Sequence, residues 1–258
     1  MIKKNPNAII SIENPTDEMK LLAIKSNGLL LEYIDHPTRE LQELAIDNNA
    51  GAIRFIEKPT ENMMIKAIKD KWINLEYIKS PSEQVIRLAM NQAGWAIKYI
   101  KNPNEELQLL AVSKNYDSIK FIKEPYASVQ EAAVTINYEA LRYISSPTPK
   151  AELIAIKNNE GAINFINDLD KEKIIDFLKV NILVLKYVIK EISKDELEEV
   201  LKEVLSKEEV EEKYVRDYLN YDVLEDCDIK QMDKVMMINR YGSKKAKKIA
   251  VDEKLKLL

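Results

Sequence analysis

A chain of 258 residues with 46% apolar and 32% charged side chains lies far from disordered and membrane-spanning compositions, and its formal charge of −4 with a pI near 5.4 disfavours a general polyanion binder. The opening Met1-Ile2-Lys3-Lys4-Asn5-Pro6 lacks an apolar stretch of signal-peptide length, so a soluble cytoplasmic protein with no membrane association is expected. The single cysteine, Cys227, leaves no internal disulfide and reads as an inert thiol.

From the N-terminus onward the chain is periodic. Prolines at 15, 37, 59, 81, 103, 125 and 147 recur every 22 residues, the mark of a tandem array. A fragment upstream carries Asn5, Ile9 and Ile12 in register, and an eighth unit starts without its proline at Leu169. Counting from each proline as zero, position +1 is Thr16, Thr38, Thr60, Ser82, Asn104 or Thr148, side chains whose oxygen can accept from an early helical N–H. Apolar residues near +4, +7 and +8 follow at helical spacing, with an alanine at +8 from Ala23 to Ala155 and Ile, Met or Val at +9. Asn27, Asn49, Asn115, Asn137, Asn159 and Asn181 at +12 predict a helix stop in the left-handed conformation, and Gly28 and Gly94 at +13 follow the same logic. A second helix is predicted over +14 to +20, in part of the tighter three-residue type. Its inward positions are +15, +16, +18 and +19, with +18 an aromatic from Tyr33 to Tyr187, and +17 points outward.

One such unit buries too few side chains to offset the ordering of 22 residues, so the units must stack. The alanine column allows close helix approach. The fold class is therefore all-α: a right-handed α-solenoid of tandem 22-residue two-helix repeats over residues 1–190, closed by a helical C-terminal cap over 191–258.

The columns resemble the short bacterial helical repeats related to the leucine-rich repeat variant, and more closely a bacterial and phage repeat family of unknown function whose unit reads Ala-Val-x-x-Asn-Gly-x-Ala-Leu-x-Tyr. The matching stretches are Ala23-Ile24-Lys25-Ser26-Asn27-Gly28 with Leu31 and Tyr33, and Ala155-Ile156-Lys157-Asn158-Asn159 with Ala162, Ile163 and Phe165. The resemblance implies a HEAT-like fold and no activity. Where Lys71 and Ala93 replace the asparagine, a reshaped helix junction is expected.

Past residue 190 the register fails and charge separates. Residues 1–190 balance at 25 basic and 25 acidic side chains, 191–226 carry 5 against 14, with the run Glu208, Glu209, Glu211 and Glu212, and 227–258 carry 9 against 4. Either this segment shields the last apolar face, or it forms a separate module that binds a partner or joins copies of the chain into a homo-oligomer.

Catalysis finds no constellation. The one histidine, His36, precedes Pro37 in a turn, no Cys/His set suits zinc, and five glycines form no phosphate loop. Neither enzyme nor cofactor is expected. Aromatics that the repeat does not require stand out instead: Trp72, Tyr116 and Tyr138 at +13, Trp95 at +14, and Tyr126 after its proline. Either they fill gaps between layers or they form an exposed ridge at one helix junction. A basic column at +17, with Arg54, Lys98, Lys120, Arg142 and Lys186, is joined at +20 by Lys79, Lys101 and Lys123. These are solvated lysines or a stripe for an acidic surface or for phosphates. The expected function is a non-enzymatic protein-binding scaffold or inhibitor, compatible with a phage or mobile-element origin, whose partner meets Trp72, Trp95, Lys98, Tyr116, Lys120, Tyr126, Tyr138 and Arg142. Nucleic-acid binding through the lysine stripe and basic tail is the alternative.

Overall fold

The computed structural model describes residues 2–221 and 233–256, which are helical with no strand among them. Cys227 and part of the acidic segment lie outside the described residues. By contact density the chain forms two compact units, residues 1–129 and 130–258, and each stacks its repeats as an α-solenoid.

The first unit holds η1 (Pro6–Ser11), α1 (Asp17–Ser26), η2 (Gly28–Tyr33), α2 (Arg39–Asn48), η3 (Ala50–Phe55), α3 (Glu61–Asp70), η4 (Trp72–Tyr77), α4 (Glu83–Gln92), η5 (Gly94–Tyr99), α5 (Glu105–Lys114) and η6 (Tyr116–Phe121), where η denotes a 3-10 helix. The boundary falls within α6 (Ala127–Ile136). The second unit continues with η7 (Tyr138–Tyr143), α7 (Pro149–Asn158), η8 (Glu160–Phe165), α8 (Lys171–Val180), η9 (Ile182–Val184) and α9 (Leu185–Val188). Its longer helices α10 (Lys194–Leu205), α11 (Glu212–Asn220), α12 (Lys234–Tyr241) and α13 (Lys244–Leu255) follow, with α10 packed on α8 and α11 on η9.

Each proline-led repeat is thus a ten-residue α-helix over +2 to +11 and a six-residue 3-10 helix over +13 to +18, while in the eighth unit the second helix is the three-residue η9 followed by α9. The +1 side chains cap the α-helices as expected: Thr16, Thr38, Thr60, Ser82, Asn104, Thr148 and, in the eighth unit, Asp170 each accept from the backbone N–H two residues into the helix. The alanine column is fully enclosed in all seven proline-led repeats, and the +9 and +16 columns complete the core. In the eighth unit Phe177 takes the alanine position, where the next layer is the cap.

The asparagine column acts differently from the expectation. Asn27, Asn49, Asn115, Asn137, Asn159 and Asn181 are extended, with φ from −144° to −157°, not left-handed. The α-helix passes to the 3-10 helix without a reversal, so one extended residue closes the first and opens the second. Asn27, Asn49, Asn137, Asn159 and Asn181 accept from the N–H at +14, capping the 3-10 helix. Lys71 and Ala93 keep the same extended backbone, so the junction is not reshaped, and only the cap bond is lost. The +13 N–H is still served by an amide oxygen of the next repeat: Gln92 accepts from Trp72 N and Asn115 from Gly94 N, as Asn48 does from Gly28 N beside an intact Asn27 cap.

Gly28 and Gly94 are also corrected, because neither has positive φ. They are needed for approach. A Cβ at Gly28 would lie 2.2 Å from the Ala45 carbonyl oxygen, and one at Gly94 2.1 Å from that of Ala111, both in the next repeat's α-helix.

Side-chain amides also satisfy backbone groups between layers, as expected of the asparagine column, and Asn181 is one of them. The carbonyl at +9 belongs to the last turn of its helix and has no partner within it. Gln92, Asn158 and Asn181 of the following repeats donate their amides to the Ile68, Val134 and Ile156 oxygens. At the proline edge, buried Gln108 donates to Pro103 O and accepts from Tyr126 N, and buried Gln130 accepts from Thr148 N.

Candidate interaction face

The 3-10 helices have three residues per turn, so +16 and +19 fall on one stripe and +15 and +18 on another. The first stripe and the mostly small +15 residues face the core. The +18 aromatics, expected inward, do not. Tyr33, Tyr77, Phe121, Tyr143 and Tyr187 are exposed, and Phe55, Tyr99 and Phe165 are half-buried. Space beside the α-helices is taken by the smaller side chain one turn earlier, so the ring lies along the surface. Five of the eight rings are tyrosines, whose hydroxyl wants water or a partner, and this was the available signal.

These rings meet the +17 cations, which do point outward. In the first unit the Arg54 guanidinium lies 5.0 Å from the Phe55 ring centroid and 6.0 Å from that of Tyr77. Lys98 Nζ lies 4.5 Å from Tyr99 and 5.8 Å from Trp72, and Lys120 Nζ lies 5.1 Å from Phe121 and 5.9 Å from Trp95. In the second unit Arg142 stands 4.9 Å from Phe165 and 6.0 Å from Tyr143, and Lys186 stands 4.9 Å from Tyr187. Each unit thus carries a strip of alternating cation and ring, and each such contact contributes on the order of 0.5–1 kcal/mol at an exposed site.

The predicted site residues are partly brought together. Trp72, Trp95, Lys98, Tyr116 and Lys120 all lie on η4, η5 and η6, where Trp72 and Tyr99 pack at 6.4 Å, and none of the three aromatics is buried. Tyr138 and Arg142 lie on η7 in the second unit, with Tyr138 stacked on Phe165 at 6.3 Å. Tyr126 does not join either group. It is exposed at the proline edge, the length of a ten-residue α-helix, about 15 Å, from the +13 positions. The sequence reading missed Ile73 and the exposed +18 rings Tyr77 and Phe121, which belong to η4 and η6.

Charge on the strip is partly compensated. Trp95 Nε1 donates to Asp117 Oδ1 at 2.7 Å, and Lys120 Nζ donates to Asp117 Oδ2 at 2.6 Å. Burial opposes the Asp117 charge, yet these two bonds outweigh it and hold the carboxyl below its usual range. The Tyr99 hydroxyl donates to Glu76 at 3.3 Å. Lys98, by contrast, is exposed and takes no carboxylate among the described residues. In the second unit Lys186 is held by Glu160 at 2.7 Å.

His36 is exposed at a proline turn, in a left-handed conformation with φ 47°. No group of three or more metal-ligating side chains gathers among the described residues, and no helix among them is long and apolar enough to cross a membrane. Comparison with known proteins finds no matching family model, curated protein or solved structure.

Proposed function

We propose that this protein is a non-enzymatic scaffold that binds a protein partner on the 3-10 face of its first unit, over residues 72–123. One observation carries the reading. Three consecutive 3-10 helices expose Ile73, Tyr77, Trp95 and Phe121, with Lys98 and Lys120 laid across the rings between them. Exposed aromatics with long cationic side chains are the composition of binding hot spots, and a contiguous apolar patch on a soluble surface is otherwise a liability.

The same alternation of cation and ring suits single-stranded nucleic acid, where bases stack on open ring faces. The lysine positions favour protein. Their ammonium groups already cover ring faces of Trp72, Tyr99, Trp95 and Phe121, and a nucleobase would have to displace them.

The test is capture of a partner by immobilised protein, compared between wild type, Trp95→Ala, Lys98→Glu and the control Lys69→Glu at an exposed position of α3. The reading expects capture to fall with the first two variants and to survive in the control. Binding of oligothymidylate that is lost in Lys98→Glu, together with partner capture indifferent to Trp95 and Lys98, would overturn it in favour of nucleic acid.

A further inference from the structure

We propose that the segment this face takes is an acidic polyproline-II stretch carrying a carboxylate at every third residue; the proposal rests on the protein-binding reading and narrows it to one ligand chemistry.

Spacing is the first argument. η4, η5 and η6 pack as successive layers, and closely packed helices lie about 8–10 Å apart, so Lys98 and Lys120 recur at about that interval. A polyproline-II chain has three residues per turn and rises about 3.1 Å per residue, so one of its edges repeats about every 9 Å. A β-strand repeats each face at about 6.7 Å and falls about 2 Å short of the one interval between the two lysines. An α-helix returns to the interval only every second turn.

The lining is the second. Trp72, Tyr77, Trp95, Tyr99 and Phe121 leave apolar ring edges beside the cations, and a compact pyrrolidine on an already extended chain can pack against such an edge, where a nucleobase would need the whole covered face. Docking such a segment forfeits little conformational freedom.

Charge decides the sign. Positions +17 and +20 hold Glu32, Asp35, Arg54 and Glu57 in the first two repeats, but Glu76, Lys79, Lys98, Lys101, Lys120 and Lys123 in the next three. The balance along the same two columns turns from acidic to strongly basic where the aromatics gather. Lys98 offers its ammonium without a carboxylate among the described residues, while at Lys120 an incoming carboxylate would share the cation with Asp117.

The experiment uses the full chain and fluorescein-labelled peptides in anisotropy titrations at low and at physiological salt. The probes are four repeats of Glu-Pro-Pro, a block peptide of the same composition with its glutamates gathered at one end, and four repeats of Lys-Pro-Pro. The spaced acidic peptide should bind, the block peptide about tenfold more weakly, and the basic peptide not measurably, as expected when charge complementarity is set by register. Lys98→Glu should weaken the spaced peptide about tenfold and reduce its salt dependence, Lys98→Arg should retain it, and Trp95→Ala should weaken it with the melting temperature as a check on folding. Equal binding of spaced and block peptides would overturn the proposal, since charge alone would then suffice. So would the absence of peptide binding while partner capture still depends on Trp95 and Lys98, a result that leaves the scaffold reading standing. Partner capture that ignores both residues would instead remove the scaffold reading itself.

Discussion

Within the second unit, the last repeats and the C-terminal cap close their layers by different means. Between repeats seven and eight the contact is made by the enclosed Ala155 and by Asn181, whose amide donates to the Ile156 oxygen at 2.8 Å. Between repeat eight and the cap Phe177 stands in the alanine position, and α10 brings Leu197, Val200, Leu201, Val204 and Leu205. Yet the orphan +9 carbonyl is still satisfied: the Tyr214 hydroxyl of α11 donates to Leu178 O at 2.9 Å. A layer in the array needs a small side chain because another layer follows at the same spacing. The cap has no such constraint, so larger residues fill the space, but an unpaired buried carbonyl is equally costly in both. The charged surface of the cap adds ion pairs, Lys171 with Glu196, Lys179 with Glu203 and Lys157 with Glu211, each exposed enough to contribute little alone.

If close approach governs the array, the largest effect should come from filling a glycine. Gly94→Ala places a Cβ against the Ala111 backbone and should cost about 3 kcal/mol, the upper range for overpacking against atoms that cannot rotate away. Gly51→Ala, which meets only the Asn49 and Leu29 side chains at 3.1 and 3.7 Å, should change urea stability by less than about 1 kcal/mol. Similar losses at both sites would show that approach is not the constraint.

The amide ties come next. Asn181→Ala removes a buried bond to Ile156 O and the cap on Leu183 N, and should cost about 2 kcal/mol; Asn137→Ala, which removes only the cap on Glu139 N among the bonds described above, should cost about 1 kcal/mol. Urea titrations of the two variants rank them, and a reversed order would shift the weight from interlayer bonds to caps.

Tyr214→Phe tests whether the cap truly replaces the tie. It should cost about 1–2 kcal/mol by leaving Leu178 O without its donor. Burial raises the phenol pKa of Tyr214, and that of Tyr218, well above the ordinary value, so the folded state holds these protons longer than the unfolded chain. Their contribution is intact below about pH 10, the unfolded value, and declines as pH rises beyond it. Tyr214→Phe should therefore also make the alkaline loss of stability shallower in a pH series of melts.

The smallest effect concerns Glu196. Its carboxylate accepts from the Ser193 backbone N–H, and from Lys171 and the Ser193 hydroxyl, which lowers its pKa to about 2. A depressed carboxylate contributes stability above its unfolded value of 4.5, and that contribution is lost as pH falls towards about 2. Glu196→Gln should flatten the acid limb of the stability curve in that window, its melting temperature lying slightly below wild type at neutral pH and converging on it towards about pH 2. An acid limb identical to wild type would place the cap's acid sensitivity elsewhere.

Much of the repeat was legible because its determinants are local. Thr16 and its equivalents cap the helix that follows them, and Ala23 to Ala155 mark the enclosed column, since a helical period and a capping oxygen depend on neighbours within one turn. The candidate site was legible only as a list of unusual residues. Trp72, Trp95, Lys98 and Lys120 fell on adjoining 3-10 helices, whereas Tyr126 lay at the opposite edge, because position along the repeat sets the edge and the proline register alone does not say which edge is occupied.

By itself the sequence determined the period, the order of helices and the enclosed columns, all of which follow from side-chain type repeated at fixed spacing. Only the tertiary structure decided that the +18 rings lie outside, that Asn27, Asn49, Asn137, Asn159 and Asn181 are extended caps, and that Gly28 and Gly94 stand against the next helix. The reason is that these depend on what the following layer presents some twenty residues later: a backbone carbonyl in need of a donor, a helix too near for a Cβ, or a cation ready to lie across a ring.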